Sequence, residues 1–390
     1  MVTPLAFITA WARSAVVPRG GAFHALHPHQ IAAPVLQALL QRVGLSPASV
    51  DAVVLGNALG AGGNPARMLS LHAGLAERCA AYTVDTQCCA GLDAVAMGAA
   101  LIASGQAHVV IAGGAEAWSR SPMRLHRPLH AGESPEPYER PAFAPTPAQD
   151  PDMLLSAAVY AATHGYTRSE QEAYAIQSHA CAIAHKAELA SEIVPVAGVC
   201  HDAYPRHIAA ERAARMPTLA CAEGEASPAF GLSALTVSAQ ADGAALVLLM
   251  SAQACAQWHI NPAMSWAAHA SVGTAPQVPL VAAELAARTV LQRMRNTPTN
   301  ELACVELHDA FAVQGLSFTK GLGLTPQQLN AQGGGLARGH PIGASGAVAL
   351  VRLLSGLNKL QQPHAKGLVV VAGAGGLGSA AVVQKAEQAA

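Results

Sequence analysis

The apolar positions of this chain fall into two alternating patterns. Short, largely apolar runs at residues 5–9, 50–55, 108–113, 244–250, 304–307 and 368–372 read as buried strands. Between them, residues 30–43, 65–74, 91–104, 280–294 and about 346–357 carry apolar residues at helical spacing. A further strand is expected near 82–86, a helix over 168–190 and a strand over 193–199. Strands and helices in this order predict βαβ units and a mostly parallel, buried sheet. The longest apolar run, 367–383, is broken by Gly373, Gly375, Gly376 and Gly378, so it reads as strand, tight turn and second strand rather than a membrane span. Residues 120–152 hold eight prolines and no apolar period, which predicts an excursion over the surface. A faint repeat, residues 108–114 against 367–373, suggests two related α/β halves.

With 390 residues the chain is long enough for two or three domains. Only 12% of residues are charged and 52% are hydrophobic, which excludes a disordered chain. Lys+Arg number 23 against 24 Asp+Glu, so the broad positive surface that nucleic acid needs is missing and no nucleic-acid partner is expected. Phe, Trp and Tyr number 6, 4 and 6, so the core must be filled by small aliphatic residues packed close together. Eight cysteines at irregular spacing do not form a disulfide framework. His24, His27 and His29, and the pair His126 and His130, have metal-ligand spacing, but Pro28 and Pro128 break a shared helical face, so no metal site is expected. No basic residue precedes the apolar N-terminal stretch, so a signal peptide is not expected and the chain reads as cytoplasmic, with no membrane partner.

Three segments could carry chemistry. Cys88 and Cys89 lie between an expected strand and an expected helix, where unpaired backbone N–H groups stabilise a thiolate and lower a cysteine pKa; two inert, buried small side chains are the alternative. The loop 333–346 is rich in glycine and holds His340 before Pro341, as an exposed base supported by backbone. His308 closes an expected strand and is followed by Asp309, a pairing that is structural in most proteins but sits where α/β sheets keep their sites.

Five motifs occur in order: Cys88-Cys-Ala-Gly-Leu-Asp-Ala, Ala112-Gly-Gly-Ala-Glu-Ala-Trp-Ser, Ala241-Asp-Gly-Ala-Ala, His308-Asp-Ala-Phe and Gly339-His-Pro-Ile-Gly-Ala-Ser-Gly. Together they span nearly the whole chain and resemble the thiolase family. The resemblance implies an α/β fold of two related βαβαβαββ halves, with stacked mixed sheets around central helices in five layers, α-β-α-β-α. Residues 1–119, completed by 236–256, would form the N-terminal half, 120–235 an inserted loop region and 257–390 the C-terminal half. It also implies an acyl-CoA-dependent acyltransferase that holds its acyl group on Cys88 and passes it on by Claisen-type chemistry. His340 would activate Cys88, His308 would share a donor site with it, and the backbone N–H groups of Cys88 and Ala374 would form the other oxyanion hole. Ser238 matches a serine near the coenzyme A chain. Arg206, Arg212 and Arg215 lie in the region where the family holds coenzyme A, unless they are simply a solvated basic face. No cofactor is implied beyond coenzyme A thioesters as substrates, and a homodimer or homotetramer is expected.

The chain departs from the family where a second cysteine is expected, since Ala372 and Ala310 occupy both of its usual positions. Neither can move a proton. Two further readings therefore stand beside the first: a decarboxylating condensing enzyme with a Cys-His-His set, and a thioester hydrolase or acyl-CoA-binding protein.

Overall fold

The computed structural model describes residues 6–60, 62–222 and 228–386. Its main sheet is built from nine principal strands. They are β1 (Phe7–Arg13), β2 (Ala52–Gly56), β3 (Ala80–Val84), β4 (Val109–Ala117), β5 (Ala241–Met250), β6 (Met264–Gly273), β7 (Leu302–His308), β8 (Lys366–Gly373) and β9 (Leu377–Lys385). Their order across the sheet is β7-β8-β9-β6-β1-β5-β4-β2-β3. The pairs β2–β3, β2–β4 and β7–β8 are parallel, whereas β1–β5, β5–β4, β6–β9 and β8–β9 are antiparallel. The sheet is therefore mixed rather than mostly parallel. The halves join through two residue pairs, Phe7 with Ser265 and Ile8 with Met264.

Eight helices cover and separate the halves: α1 (Pro28–Val43), α2 (Pro65–His72), α3 (Ala90–Ala103), α4 (Met153–His164), α5 (Arg168–Ala184), α6 (Ala282–Arg293), α7 (Ala312–Leu322) and α8 (Ser345–Lys359). Alternation along the strands sorts them into layers, because neighbouring residues face opposite ways. Val53 and Ile111 pack with Ile31 and Leu36 of α1 and Leu69 of α2. Their neighbours Val54 and Val110 instead join Leu92 of α3 and Leu350 and Leu353 of α8, with Val369 and Val371 of β8 closing the far side of that cluster. Leu368 and Val370 face outward onto Val290 of α6 and Phe318 of α7. The result is five layers, α-β-α-β-α, with α3 and α8 buried between the two halves.

Local signals explain most boundaries. Pro28 opens α1, and Gly44 at φ +69° ends it in the left-handed region. Thr167 and Glu170 form a capping box on α5. The expected helix 168–190 breaks at His185, and residues 193–199 form a turn rather than a strand, with Ala197 and Gly198 both at positive φ. The strand expected at 5–9 runs Phe7–Arg13, with position 5 outside the described residues. Two elements gave no clear period in the sequence. Helix α4 is capped by the Asp152 side chain and ended by Gly165, and β6 is hidden by its alternation of small, polar and aromatic residues. Residues 120–152 do run over the surface, with one short hairpin of Arg124–His126 and Glu136–Tyr138.

Candidate active site

The site gathers where β3, β4, β7 and β8 end and the chain turns into loops or helices. After β3, a single helical turn, Gln87–Cys89, precedes α3 and carries Cys88. Gln87 adopts φ +55°, and the Cys89 N–H is held by the carbonyl of Thr86. Asp93 in the first turn of α3 anchors this turn. Its carboxylate accepts from Thr86 Oγ1 at 2.6 Å, and from Ser379 Oγ at 2.7 Å and Ser271 Oγ at 2.8 Å on the other half of the sheet. Burial opposes charge on Asp93, yet bonds from His269, Thr86, Ser379 and Ser271 outweigh it and hold the carboxyl below its ordinary range.

His340 reaches Cys88 from the glycine-rich loop, with Nε2 3.2 Å from Sγ. The approach depends on glycine, because a Cβ at Gly91 would lie 2.7 Å from the carbonyl oxygen of Gly343. The other imidazole nitrogen, Nδ1, lies 2.8 Å from Ser345 Oγ at the start of α8. For Nε2 to take the thiol proton, Nδ1 must carry the ring proton and donate to Ser345 Oγ; this tautomer is the one a base requires. The His340 carbonyl accepts from Trp118 Nε1 at 3.1 Å, and its N–H donates to Ala239.

Glu116 fixes the loop from behind. It is fully buried in β4 and accepts from Asn57 Nδ2 at 2.7 Å, Ala58 N at 2.9 Å and Gly343 N at 3.0 Å. Burial still outweighs these backbone donors and raises the carboxyl to about 7. Sequence reasoning quoted Glu116 within a motif without giving it a role. Its signal was a carboxylate inside a run of buried small residues, which needs dedicated partners.

His308, at the end of β7, stacks on His340 with ring centroids 4.4 Å apart. It is buried, and its Nε2 has no hydrogen-bond partner among the described residues. Burial, then the neighbouring His340 and Arg338, hold its pKa well below the usual imidazole value. Asp309 turns the other way, accepting from Tyr174 Oη at 2.9 Å and from the N–H groups of Gly335 and Leu336, and so ties the glycine-rich loop to α5.

The structure thus brings Cys88, His308 and His340 together, and the backbone N–H groups of Ala374 and Cys88 itself favour the charged sulfur. It corrects the expectation of a resting thiolate. Burial raises the Cys88 thiol to about 12, more than those two backbone donors can offset, and burial lowers His340 to about 4. At neutral pH the pair is a thiol beside a neutral imidazole. Ser238 is engaged elsewhere: its hydroxyl donates to the Gly335 carbonyl at 2.7 Å and holds the loop beneath His308. Arg206 stacks on Tyr204, 4.2 Å from the ring centre. Cys89 is buried against Val371 and takes no part in the cluster. Ala372 and Ala310 place methyl groups where the family resemblance expected a second thiol. Among the described residues no group of three or more His, Cys, Asp or Glu side chains is placed to hold a metal ion.

Comparison with known proteins agrees with this geometry. Residues 6–253 match the thiolase N-terminal domain and residues 260–385 the thiolase C-terminal domain. An acetyl-CoA acetyltransferase of Chromobacterium violaceum is 34% identical over 402 residues, covering 97% of this chain and 99% of that protein. One from Allochromatium vinosum is 33% identical, covering 96% of this chain and 97% of that protein. Among solved structures, the acetyl-CoA acetyltransferase of Bacillus anthracis superposes with a TM-score of 0.89 at 28% identity, covering 98% of both chains. The Acat5 thiolase of Ascaris suum, solved with coenzyme A, gives 0.87 at 26% identity, covering 98% of this chain and 100% of that one. The chain belongs to the thiolase family.

Proposed function

We propose that this protein is a thiolase-type acyltransferase that takes an acyl group from coenzyme A onto Cys88 and passes it to a second thioester. The observation that carries the reading is the 3.2 Å contact between Cys88 Sγ and His340 Nε2, beside the N–H groups of Cys88 and Ala374. As Sγ attacks the thioester carbonyl, its proton moves to His340 Nε2, so charge appears only while the bond forms. The two backbone N–H groups receive the oxyanion, and the imidazolium returns its proton to the departing coenzyme A thiolate. Acylation leaves His340 Nε2 free of the thiol. With alanine at 310 and 372, it is then the base assigned to the α-carbon of the second thioester in a Claisen step. The role of stabilising the enolate oxygen is assigned to His308, a reading supported by its Nε2 having no hydrogen-bond partner among the described residues.

Two wider features belong to the same reading. Strand β3 ends the sheet with an open backbone edge, and Tyr82, Met68, Leu71 and Met97 expose apolar side chains, which supports a homo-oligomer. All eight cysteines are free, which supports a reducing, cytoplasmic setting. No helix among the described residues is long and apolar enough to cross a membrane.

Intact-protein mass spectrometry after mixing with acetyl-CoA tests the acyl-enzyme. One acetyl group should appear on the wild type and none on Cys88→Ala. Unlabelled wild type, or a labelled Cys88→Ala, would refute the role of Cys88. Release of labelled carbon dioxide from malonyl-CoA would instead favour the decarboxylating reading.

A further inference from the structure

Away from Cys88, the C-terminal end of α5 and the short helix Lys186–Ala190 face the segment 201–207 across a crevice of about 310 Å3. Ile183, Leu189, Ile193 and Pro205 supply apolar walls, while Lys186, His201, Arg206 and His207 line it with basic groups. Its charge is unbalanced. The side chains of Lys186 and His207 make no hydrogen bond or ion pair with any described residue, and the Arg206 guanidinium donates only to Tyr204, at 3.3 Å, while its backbone N–H donates to His179 Nδ1 at 3.4 Å.

The carboxylates nearby are already spent. Asp202, which lines the crevice, is held by Arg13 through two bonds of 2.7 and 2.9 Å and kept ionised there. Arg13 is fully buried and also binds Glu192 at 2.6 Å, and Glu192 is shared with Arg352. Glu188, on the short helix, is taken by Lys359 at 2.8 Å and Gln332 at 2.7 Å. Among the described residues that line the crevice, no free carboxylate neutralises the basic groups, and Asp202, paired to Arg13, adds little repulsion toward an anion.

We infer that this crevice is a second binding site, taking a small phosphomonoester with an apolar body. The volume is at the small end of ligand pockets, and apolar walls with a few convergent charges suit one compact group. A phosphomonoester brings about two negative charges at neutral pH, which answers Lys186 and Arg206 together better than a single carboxylate does. The site is separate from the acyl-transfer centre. Tyr174 meets Asp309 beside His308, whereas Ala182 lines the crevice eight residues further along α5, about 12 Å at the rise of an α-helix. The inference is independent of the acyl-transfer reading.

Phenyl phosphate is the probe, titrated calorimetrically into the full-length protein at low salt. One saturable site is expected, weakening as salt rises. Benzoate, inorganic phosphate and phenol should each bind more weakly, because each lacks part of the charge or the apolar body. The double variant Lys186→Gln, His207→Gln should lose about tenfold or more in affinity. That variant should still be acetylated at Cys88 at the wild-type rate, showing that the fold is intact. Absence of saturation by about 10 mM phenyl phosphate, or an affinity within about twofold of wild type in the double variant, would overturn the proposal. Displacement of phenyl phosphate by coenzyme A would also overturn it, by making the crevice part of the substrate path.

Discussion

Ser345→Ala removes the group that sets the His340 tautomer. In the wild type, Nδ1–H donates to Ser345 Oγ at 2.8 Å, in a site where Ser345 is fully buried. Without that oxygen, Nδ1–H is left without an acceptor where water cannot readily reach, at a cost of about 1–3 kcal/mol. The ring can relieve this by moving its proton to Nε2, where it would face the Cys88 thiol donor to donor, or by turning away from the sulfur. Either change removes the proton acceptor from Cys88. If the transition state bears the whole cost, 1.4 kcal/mol per factor of ten gives a fall in acetylation rate of about 5- to 150-fold.

Rapid-quench mass spectrometry of Cys88 acetylation, at saturating acetyl-CoA, reads this step separately from any later condensation. Ser345→Thr keeps a hydroxyl and should recover most of the rate. That rescue separates tautomer control from lost packing, because alanine and threonine differ from serine by opposite changes in volume. An acetylation rate for Ser345→Ala within about twofold of wild type would show that the His340 tautomer is set elsewhere.

Other outcomes follow from the same geometry. With the thiol near 12 and His340 near 4, neither member of the pair titrates between pH 6 and 9. Iodoacetamide should therefore alkylate Cys88 about tenfold faster per pH unit across that range, and a plateau with a midpoint near 7 would reveal a resting thiolate–imidazolium pair. Gly91→Ala drives a methyl toward the Gly343 carbonyl and the backbone of residue 347, so it should cost about 1–3 kcal/mol of stability and slow acetylation; a wild-type melting temperature and rate would refute the close approach. Asp93→Asn should lower acetylation without affecting the tautomer at His340, because it loosens the turn before Cys88. A wild-type acetylation rate in that variant would show that the turn holds its shape without the charge.

What the sequence made legible was what depends on neighbours along the chain. Buried strands such as residues 244–250 and the segment after Lys366 announce themselves as unbroken apolar runs, although the first extends back through Asp242 and Gly243, and Cys88 and His340 stand out beside glycine while His308 stands out at the end of a strand. The pairing of the halves was not legible in this way. It rests on Phe7 and Ile8 meeting Ser265 and Met264, more than 250 residues away, and β6 has no continuous apolar run to mark it. Ser238 resembled a substrate contact by motif position, and its hydroxyl also donates to the Gly335 carbonyl, a partner that only the folded loop supplies.

The charge state of Cys88 shows the same limit in the chemistry. A helical start with unpaired N–H groups argues for a lowered thiol pKa, and the structure does supply such groups, from Cys88 and Ala374. What local sequence cannot supply is the dielectric around the sulfur. Between α3, α8 and the end of β8 the loss of water costs a thiolate more than two backbone donors return, so the thiol rises to about 12 instead of falling. The same burial lowers His340 to about 4, so the two groups remain uncharged together. For acyl transfer this arrangement has a consequence: the base is unprotonated throughout the neutral range, and the nucleophile need only lose its proton as it meets a carbonyl carbon. The N–H groups of Cys88 and Ala374, which lower the thiol pKa less than burial raises it, are the donors that the proposed reaction assigns to the oxyanion.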